Sequence, residues 1–140
     1  MVRPDDQSIA DDTGLLRALT VDGWWKETAE TVRPTSVAFF VFEEGEPGQT
    51  SCYTDTPQGR EVFLRRFPTA HAAKFTAAHA RSCGFNITRD PEGDDQLSPE
   101  HYVLTHSIEV KRGPYQRQCK QLAILSKFVT HQVLAVTPLQ

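Results

Sequence analysis

The chain has 140 residues, a length that fits one domain of ordinary size. Its apolar content of 39% and charged content of 24% are typical of a soluble globular protein, and the net charge is −3. No apolar run approaches the ~18 residues of a membrane span, and the acidic N-terminus lacks the apolar core of a secretory signal. We therefore expect a cytoplasmic protein.

Charge is segregated along the chain. Residues 1–30 carry seven acids and three bases, and residues 60–89 carry six bases and one acid. Residues 90–109 carry six acids and no base, whereas residues 110–140 carry five bases and no acid. Such blocks arise where oppositely charged segments are neighbours in the fold, or where each block forms a solvated face. They also arise where a charged face binds a partner. Both interpretations stay open.

The N-terminal part predicts one short helix. Residues 1–12 are polar and acidic, which indicates a flexible terminus. Asp12 or Thr13 fits the N-cap of a helix whose inward face holds three leucines: Leu15, Leu16 and Leu19. Trp24 and Trp25 follow beside a turn. An aromatic pair of this size serves either the core or the anchoring of a partner.

Strands are predicted from apolar and alternating runs at residues 36–42, 50–55, 70–77, 85–90 and 101–108. The first of these, SVAFFVF, is apolar on both faces, which suits a central strand. The second returns as its antiparallel partner across a loop at residues 43–49. Residues 132–136 predict either a closing strand or a helical tail.

Three further helices are predicted from their end signals. Thr56 caps a helix that has Pro57 at its first position and ends before Pro68. Thr76 and Gly84 delimit a short alanine-rich helix. Residues 115–129 form the best amphipathic pattern in the chain. The whole predicts a single two-layer α+β domain over residues 13–137, with helices packed on a mixed, partly antiparallel sheet of about five strands.

No motif of established catalytic chemistry occurs, since the chain lacks a G-x-S-x-G elbow, a P-loop and a G-x-G-x-x-G run. Arg81, Asp90 and His101 end predicted elements beside one acidic loop. They could form an enzyme site in which Asp90 orients His101 as a general base and Arg81 holds an anion. In the structural alternative, Arg81 pairs with Asp90 to fix the loop and His101 ends a strand.

Metal and thiol chemistry are not indicated. The acidic loop offers ligand types, but its spacing matches neither an EF-hand nor a zinc helix. His101 and His106 lie five residues apart and point to opposite faces of a strand. Cys52, Cys83 and Cys119 are odd in number, far apart, and placed as small core residues. We expect no metal and no cofactor.

The basic C-terminal helix could form a binding surface, on which Arg117, Lys120 and Lys127 lie opposite the apolar face. With Lys111 and Arg112 these cations could contact nucleic acid, but the chain is acidic overall and no stacking motif is visible. We therefore favour a protein partner over nucleic acid. The tryptophan pair at residues 24–25 is the second candidate region for that contact.

Several short motifs are spread over roughly residues 33–105: Arg33-Pro34-Thr35-Ser36, Ala38-Phe39, Thr76-Ala77, Ala80-Arg81, Gly84, Asp90-Pro91 and His101. Together they give the chain a resemblance to a group of small bacterial open reading frames of no known activity. It implies a common compact fold and a bacterial origin, and no particular activity. The tryptophan-containing N-terminus and the insertion at residues 43–49 depart from the group's pattern.

The sequence thus favours a small cytoplasmic accessory protein that binds a protein partner. One alternative is a small hydrolase or transferase acting on an anionic substrate with Arg81, Asp90 and His101. A second alternative is a nucleic-acid-binding accessory protein that uses the basic C-terminal helix.

Overall fold

The computed structural model describes residues 3–89 and 99–136. In chain order these residues form β1 (Gly14–Leu19), β2 (Trp25–Glu27), β3 (Val32–Pro34), a 3₁₀ helix (Ser36–Phe39), β4 (Phe42–Glu43), β5 (Glu46–Pro47), β6 (Thr50–Thr54), α1 (Pro57–Arg66), β7 (His71–Thr76), α2 (Ala77–Ser82), β8 (Asn86–Arg89), β9 (His101–Thr105), α3 (Arg112–Leu125), β10 (Lys127–Val129) and α4 (His131–Ala135). Within these two ranges no helix has the length and apolar character needed to cross a membrane.

The fold is a single α+β domain, as predicted, built on a six-stranded sheet of order β10-β7-β1-β6-β9-β8. Neighbouring strands in this sheet are antiparallel. The sheet has one strand more than expected, and helices cover both of its faces. We call the side under α2, α3 and the 3₁₀ helix the front face, and the side under α1 and α4 the back face. Two small hairpins, β2–β3 and β4–β5, complete the fold.

The predicted N-terminal helix is wrong: its leucines form β1, a central strand of the sheet. Leu15 lies opposite Phe75 of β7 and contributes to the front core, whereas Leu16 contributes to the back core. Both leucines are fully buried. A strand buried on both faces has no polar alternation, so its apolar pattern resembles that of a short helix. The pairing with β6 and β7 decides the conformation.

The predicted central strand at residues 36–42 is also wrong. Ser36–Phe39 forms a 3₁₀ helix, and only Phe42–Glu43 enters a strand, which pairs with Glu46–Pro47 in the predicted loop region. The 3₁₀ helix buries Ala38 and Phe39 against the front face and leaves Val37 53% exposed. A short apolar run bounded by turn residues does not distinguish a strand from a helical segment. Strand β6 pairs with β1 and β9 instead.

The long C-terminal helix, predicted over residues 115–129, both starts and ends earlier in the chain than predicted. Helix α3 begins at Arg112 and contains Pro114 in its first turn, where a missing N–H costs nothing. It ends at Leu125, and Lys127–Val129 pairs with β7 as the edge strand β10. The predicted closing segment is the helical tail α4.

The predicted caps of α1 and α2 are confirmed. The Thr56 hydroxyl accepts a hydrogen bond from the Gly59 N–H, and Pro57 opens α1. The Thr76 hydroxyl accepts from the His79 N–H at the start of α2. Gly84 follows α2 with a φ of +95°, a conformation that favours glycine.

The inward positions of the predicted strands and of the predicted C-terminal helix indicate seven core residues, and most of them are buried. Phe39, Phe75, Ile87, Val103 and Leu122 are each at most 2% exposed. The other two predicted core residues, Val41 and Phe128, are half-buried.

The N-terminal segment, expected to be a flexible extension, contacts the domain through its described residues. Ile9 is buried in the front core. The Asp6 N–H donates to the carbonyl of Ile87, and the Arg3 N–H donates to the carbonyl of His106.

Candidate interaction surface

Arg81, one of the three predicted catalytic residues, pairs with carboxylates of the N-terminal segment. Its Nε lies 3.0 Å from a carboxylate oxygen of Asp5, and its Nη1 lies 2.7 Å from one of Asp11. Its Nη2 donates to the carbonyl of Asp6. The Asp5 carboxylate also accepts from the Ile87 N–H. Arg81 therefore joins the N-terminal segment to α2 and β8.

His101 lies on the other face of the sheet. It begins β9 opposite Tyr53 of β6, and the two rings stack with centroids 5.1 Å apart. Tyr53 belongs to the back core, and directly opposed residues share a face. Arg81 extends from α2, whose Ala77 and Ala80 belong to the front core. The sheet therefore separates Arg81 from His101, and Asp90 lies outside the described residues together with residues 91–98.

The three cysteines are buried thiols that form no disulfide. Burial raises the pKa of the Cys52 thiol to about 12 and that of the Cys119 thiol to about 12. Burial also raises the pKa of Cys83. A thiol acts as a nucleophile in its deprotonated form, so none of the three is activated at neutral pH. In the described part of the chain, no group of three or more histidines, cysteines or carboxylates could hold a metal ion.

The two tryptophans are half-buried and contribute to the packing around the front core. The Arg17 guanidinium lies over the Trp24 ring at 5.1 Å. Trp25 packs edge-on against His71, with centroids 5.7 Å apart, and against Phe128. The part of each ring that is exposed is therefore limited, and both rings support the β2–β3 hairpin.

The predicted basic helix face is divided by the structure. Arg117 and Lys120 are exposed on α3. Lys127 lies beyond the end of the helix, in β10 at the edge of the sheet, directly opposite Lys74. Lys74 is on the back face, since its neighbour across β1 is Leu16 of the back core. Lys127 therefore does not share a surface with Arg117 and Lys120.

Two open grooves lie beside α3. The hairpin groove, of about 390 Å³, lies between α3 and the β2–β3 hairpin. The helix groove, of about 520 Å³, lies between the first turns of α3 and the 3₁₀ helix. Ser36 and Lys120 line both grooves, so the two are adjacent. We refer to them together as the α3 surface.

The charged residues that line the α3 surface are all cations. The hairpin groove has Lys26, Arg33 and Lys120, and the helix groove adds Arg112 and Arg117. Among the described residues, the ion pairs of the protein involve other cations: Arg60, Arg65, Lys74, Arg81 and Arg89. The α3 surface is therefore a positively charged region within an acidic chain.

Apolar side chains accompany these cations. Val37 lines the helix groove and is 53% exposed, and Ile124 lines the hairpin groove and is 57% exposed. Both flank the shared part of the two grooves. A cationic surface that also exposes aliphatic side chains can bind a molecule through charge and apolar contacts together.

The sequence missed the residues that the hairpin contributes. Lys26 and Arg33 are directly opposite in the β2–β3 register and line one groove, although seven positions separate them. Trp25-Lys26-Glu27 shows no apolar/polar alternation, so the hairpin had no clear signal in the sequence. Val37 was missed because the segment that holds it was interpreted as a buried strand.

Comparison of the whole chain with family models, with curated proteins and with solved structures finds no match. The resemblance to small bacterial reading frames therefore stays a prediction, and the geometry of the α3 surface is the basis for a functional proposal.

Proposed function

We propose that this chain is a cytoplasmic accessory protein that binds a partner protein through the α3 surface. The observation that supports the proposal most directly is the coincidence of exposed aliphatic side chains and cations along two adjacent grooves, where none of these cations forms an ion pair among the described residues. The described ion pairs satisfy other cations of the protein and leave this set for an external partner. The free thiols are consistent with a reducing compartment.

The grooves are open and shallow, which favours a macromolecule over a small substrate. Small-molecule sites are usually enclosed and mostly apolar, with a few convergent polar groups. Here Arg117 and Lys120 are exposed, and the predicted catalytic residues Arg81 and His101 lie elsewhere. A protein partner can cover such a surface and exclude water from the contacts around Val37 and Ile124.

Affinity purification from the organism that carries the gene tests this proposal. The tagged wild-type chain is compared at physiological salt with an Arg117→Ala/Lys120→Ala variant and with an Arg65→Ala/Arg66→Ala control. The control removes two exposed cations from α1, on the back face, and so matches the change in net charge.

We expect at least one protein to be enriched by the wild type and the control, and depleted about tenfold or more with the α3 variant. The purified partner should then bind the wild-type chain in calorimetry. Equal enrichment of every captured protein by all three chains would contradict a role for the α3 surface.

A further inference from the structure

The hairpin groove brings like charges together. Lys26 and Arg33 are directly opposed in the antiparallel register and therefore project from the same face of the hairpin. Like charges in directly opposed positions destabilise a strand pair unless something neutralises them. Lys120 of α3 adds a third cation across the groove, and no carboxylate of the described residues lines it. A ligand that carries negative charge would remove this repulsion.

The helix groove repeats this arrangement at the other end of α3. Arg112, Arg117 and Lys120 line it, again without a carboxylate among the described lining residues. From Arg112 to Ile124 the helix is about 18 Å long at 1.5 Å per residue. Negative charge distributed over a similar length would contact both grooves. An extended peptide of about six residues or a helical one of about twelve has that length.

The aliphatic residues indicate that a ligand of the α3 surface needs apolar groups as well as negative charge. Val37 and Ile124 are exposed between the cations and would stay in contact with water beneath a purely polar ligand. Phe40 also lines the helix groove, but the Arg112 guanidinium covers its ring at 5.0 Å. The Tyr115 ring also packs against it, with centroids 5.2 Å apart, so the Phe40 ring is a poor platform for stacking a base. Aliphatic contacts suit apolar side chains of a peptide better than they suit nucleotides.

We infer that the α3 surface recognises an acidic peptide segment of the partner, in which aspartates or glutamates are interspersed with large apolar side chains. This inference rests on the proposed function and specifies the chemistry of the partner. The carboxylates pair with Lys26, Arg33, Arg117 and Lys120. The apolar side chains cover Val37 and Ile124.

Selection from a random library of displayed peptides, about twelve residues long, tests the inference without knowledge of the partner. The wild-type chain, an Arg117→Glu/Lys120→Glu variant and an Arg65→Glu/Arg66→Glu control are used as targets in parallel. Circular dichroism and thermal melting check that each is folded. If charge reversal prevents folding, Arg117→Gln/Lys120→Gln replaces it as the variant.

We expect the wild type and the control to select peptides of negative net charge that contain at least one large apolar residue. The α3 variant should lose this preference. A selected peptide should lose about tenfold or more in affinity on the α3 variant, and its affinity for the wild type should fall as salt is raised from about 50 to 300 mM. Replacement of its apolar residues by serine should also weaken binding about tenfold.

The inference is overturned if the selected peptides show no acidic bias, or if the bias persists on the α3 variant. It is also overturned if the serine-substituted peptide binds as tightly as the parent, or if a single-stranded RNA of similar length binds more tightly than any peptide. These outcomes are separable from a failure of the proposed function. One such combination is a partner that affinity purification finds and that is lost with Arg117→Ala/Lys120→Ala, while peptide selection shows no acidic bias. That combination would support partner binding by the α3 surface and refute only the acidic-peptide inference.

Discussion

The main-chain N–H of His131 donates a hydrogen bond to Nδ1 of His71 over 3.1 Å. The bond joins the first turn of α4 to strand β7, and the centroids of the two imidazole rings lie 5.3 Å apart. Only an unprotonated ring nitrogen can accept such a bond. This hydrogen bond between α4 and the sheet therefore requires a neutral His71.

This contact predicts a loss of stability at mildly acidic pH. Burial, and then the neighbouring His131, lower the pKa of His71 below its ordinary value. Because the folded pKa is the lower one, the unfolded chain takes up the proton first as the pH falls. The contribution of neutral His71 to the free energy of unfolding is therefore fully present above about pH 6.5. It is lost as the pH falls through the pKa of His71 in the folded protein. Urea unfolding at a series of pH values measures this change in the free energy of unfolding.

His71→Asn provides the comparison, since the amide oxygen of asparagine can accept the same hydrogen bond and does not titrate. Burial also lowers the pKa of His106, so more than one histidine contributes to the pH dependence of the wild-type free energy of unfolding. We expect the free energy of unfolding of His71→Asn to decline less steeply below about pH 6.5. Parallel curves for the two proteins would contradict the role of His71.

Gly59 predicts an unusual response to alanine. A Cβ atom at Gly59 would lie 1.8 Å from the carbonyl oxygen of Thr54, so α1 could not keep its position. In an open helix the same change stabilises by up to about 1 kcal/mol. Here we expect Gly59→Ala to lower the free energy of unfolding by about 3 kcal/mol or more. The exposed neighbour serves as the control, and Gln58→Ala should stay within about 0.5 kcal/mol of wild type.

The pairing of Arg81 with Asp5 predicts an energetic coupling between the N-terminal segment and the domain. Both side chains are largely buried, with 21% and 14% of their surfaces exposed. A double-mutant cycle of Arg81→Ala and Asp5→Ala, measured by urea unfolding, should give a coupling of about 1 kcal/mol. Each single variant should cost more than the coupling, because Asp5 also accepts from Ile87 and Arg81 also contacts Asp11. Additive effects of the two changes would show that the pair is not coupled.

Two phenylalanines of the predicted core should differ in their contributions. Phe39 is fully buried and packs edge-on against Phe75, with centroids 5.6 Å apart. Phe39→Ala should therefore cost about 3–5 kcal/mol. Phe128 is half-buried on the edge strand β10, and its truncation leaves a space that solvent can reach. We expect Phe128→Ala to cost less than Phe39→Ala, and a reversed order would contradict the burial of the 3₁₀ helix.

The placement of the candidate sites shows where sequence reasoning was limited. The basic residues of α3 were visible as a cluster because they lie within one segment, and Arg117 and Lys120 do share a surface. Lys127 was assigned to the same surface only because the helix was predicted to continue through it. Pairing with β7 ends the helix before that residue. Helix length was thus decided by a strand more than fifty positions away.

The sequence by itself determined the features that depend on neighbouring residues. Thr56 with Pro57 and Thr76 with Gly84 set helix ends through hydrogen bonds and backbone preferences within a few residues. Their patterns are therefore readable in one stretch of chain. The α+β fold class could be predicted because local signals of this kind mark most of the helices and strands.

Only the tertiary structure decided which segments meet. Leu15 and Leu16 form a strand because β6 and β7 provide hydrogen-bonding partners on both sides, and that pairing outweighs a helical apolar pattern. Lys26 and Arg33 line one groove with Lys120 because the hairpin packs beside α3. Contacts between distant segments depend on the folded arrangement of the whole chain, and a local pattern carries little information about them.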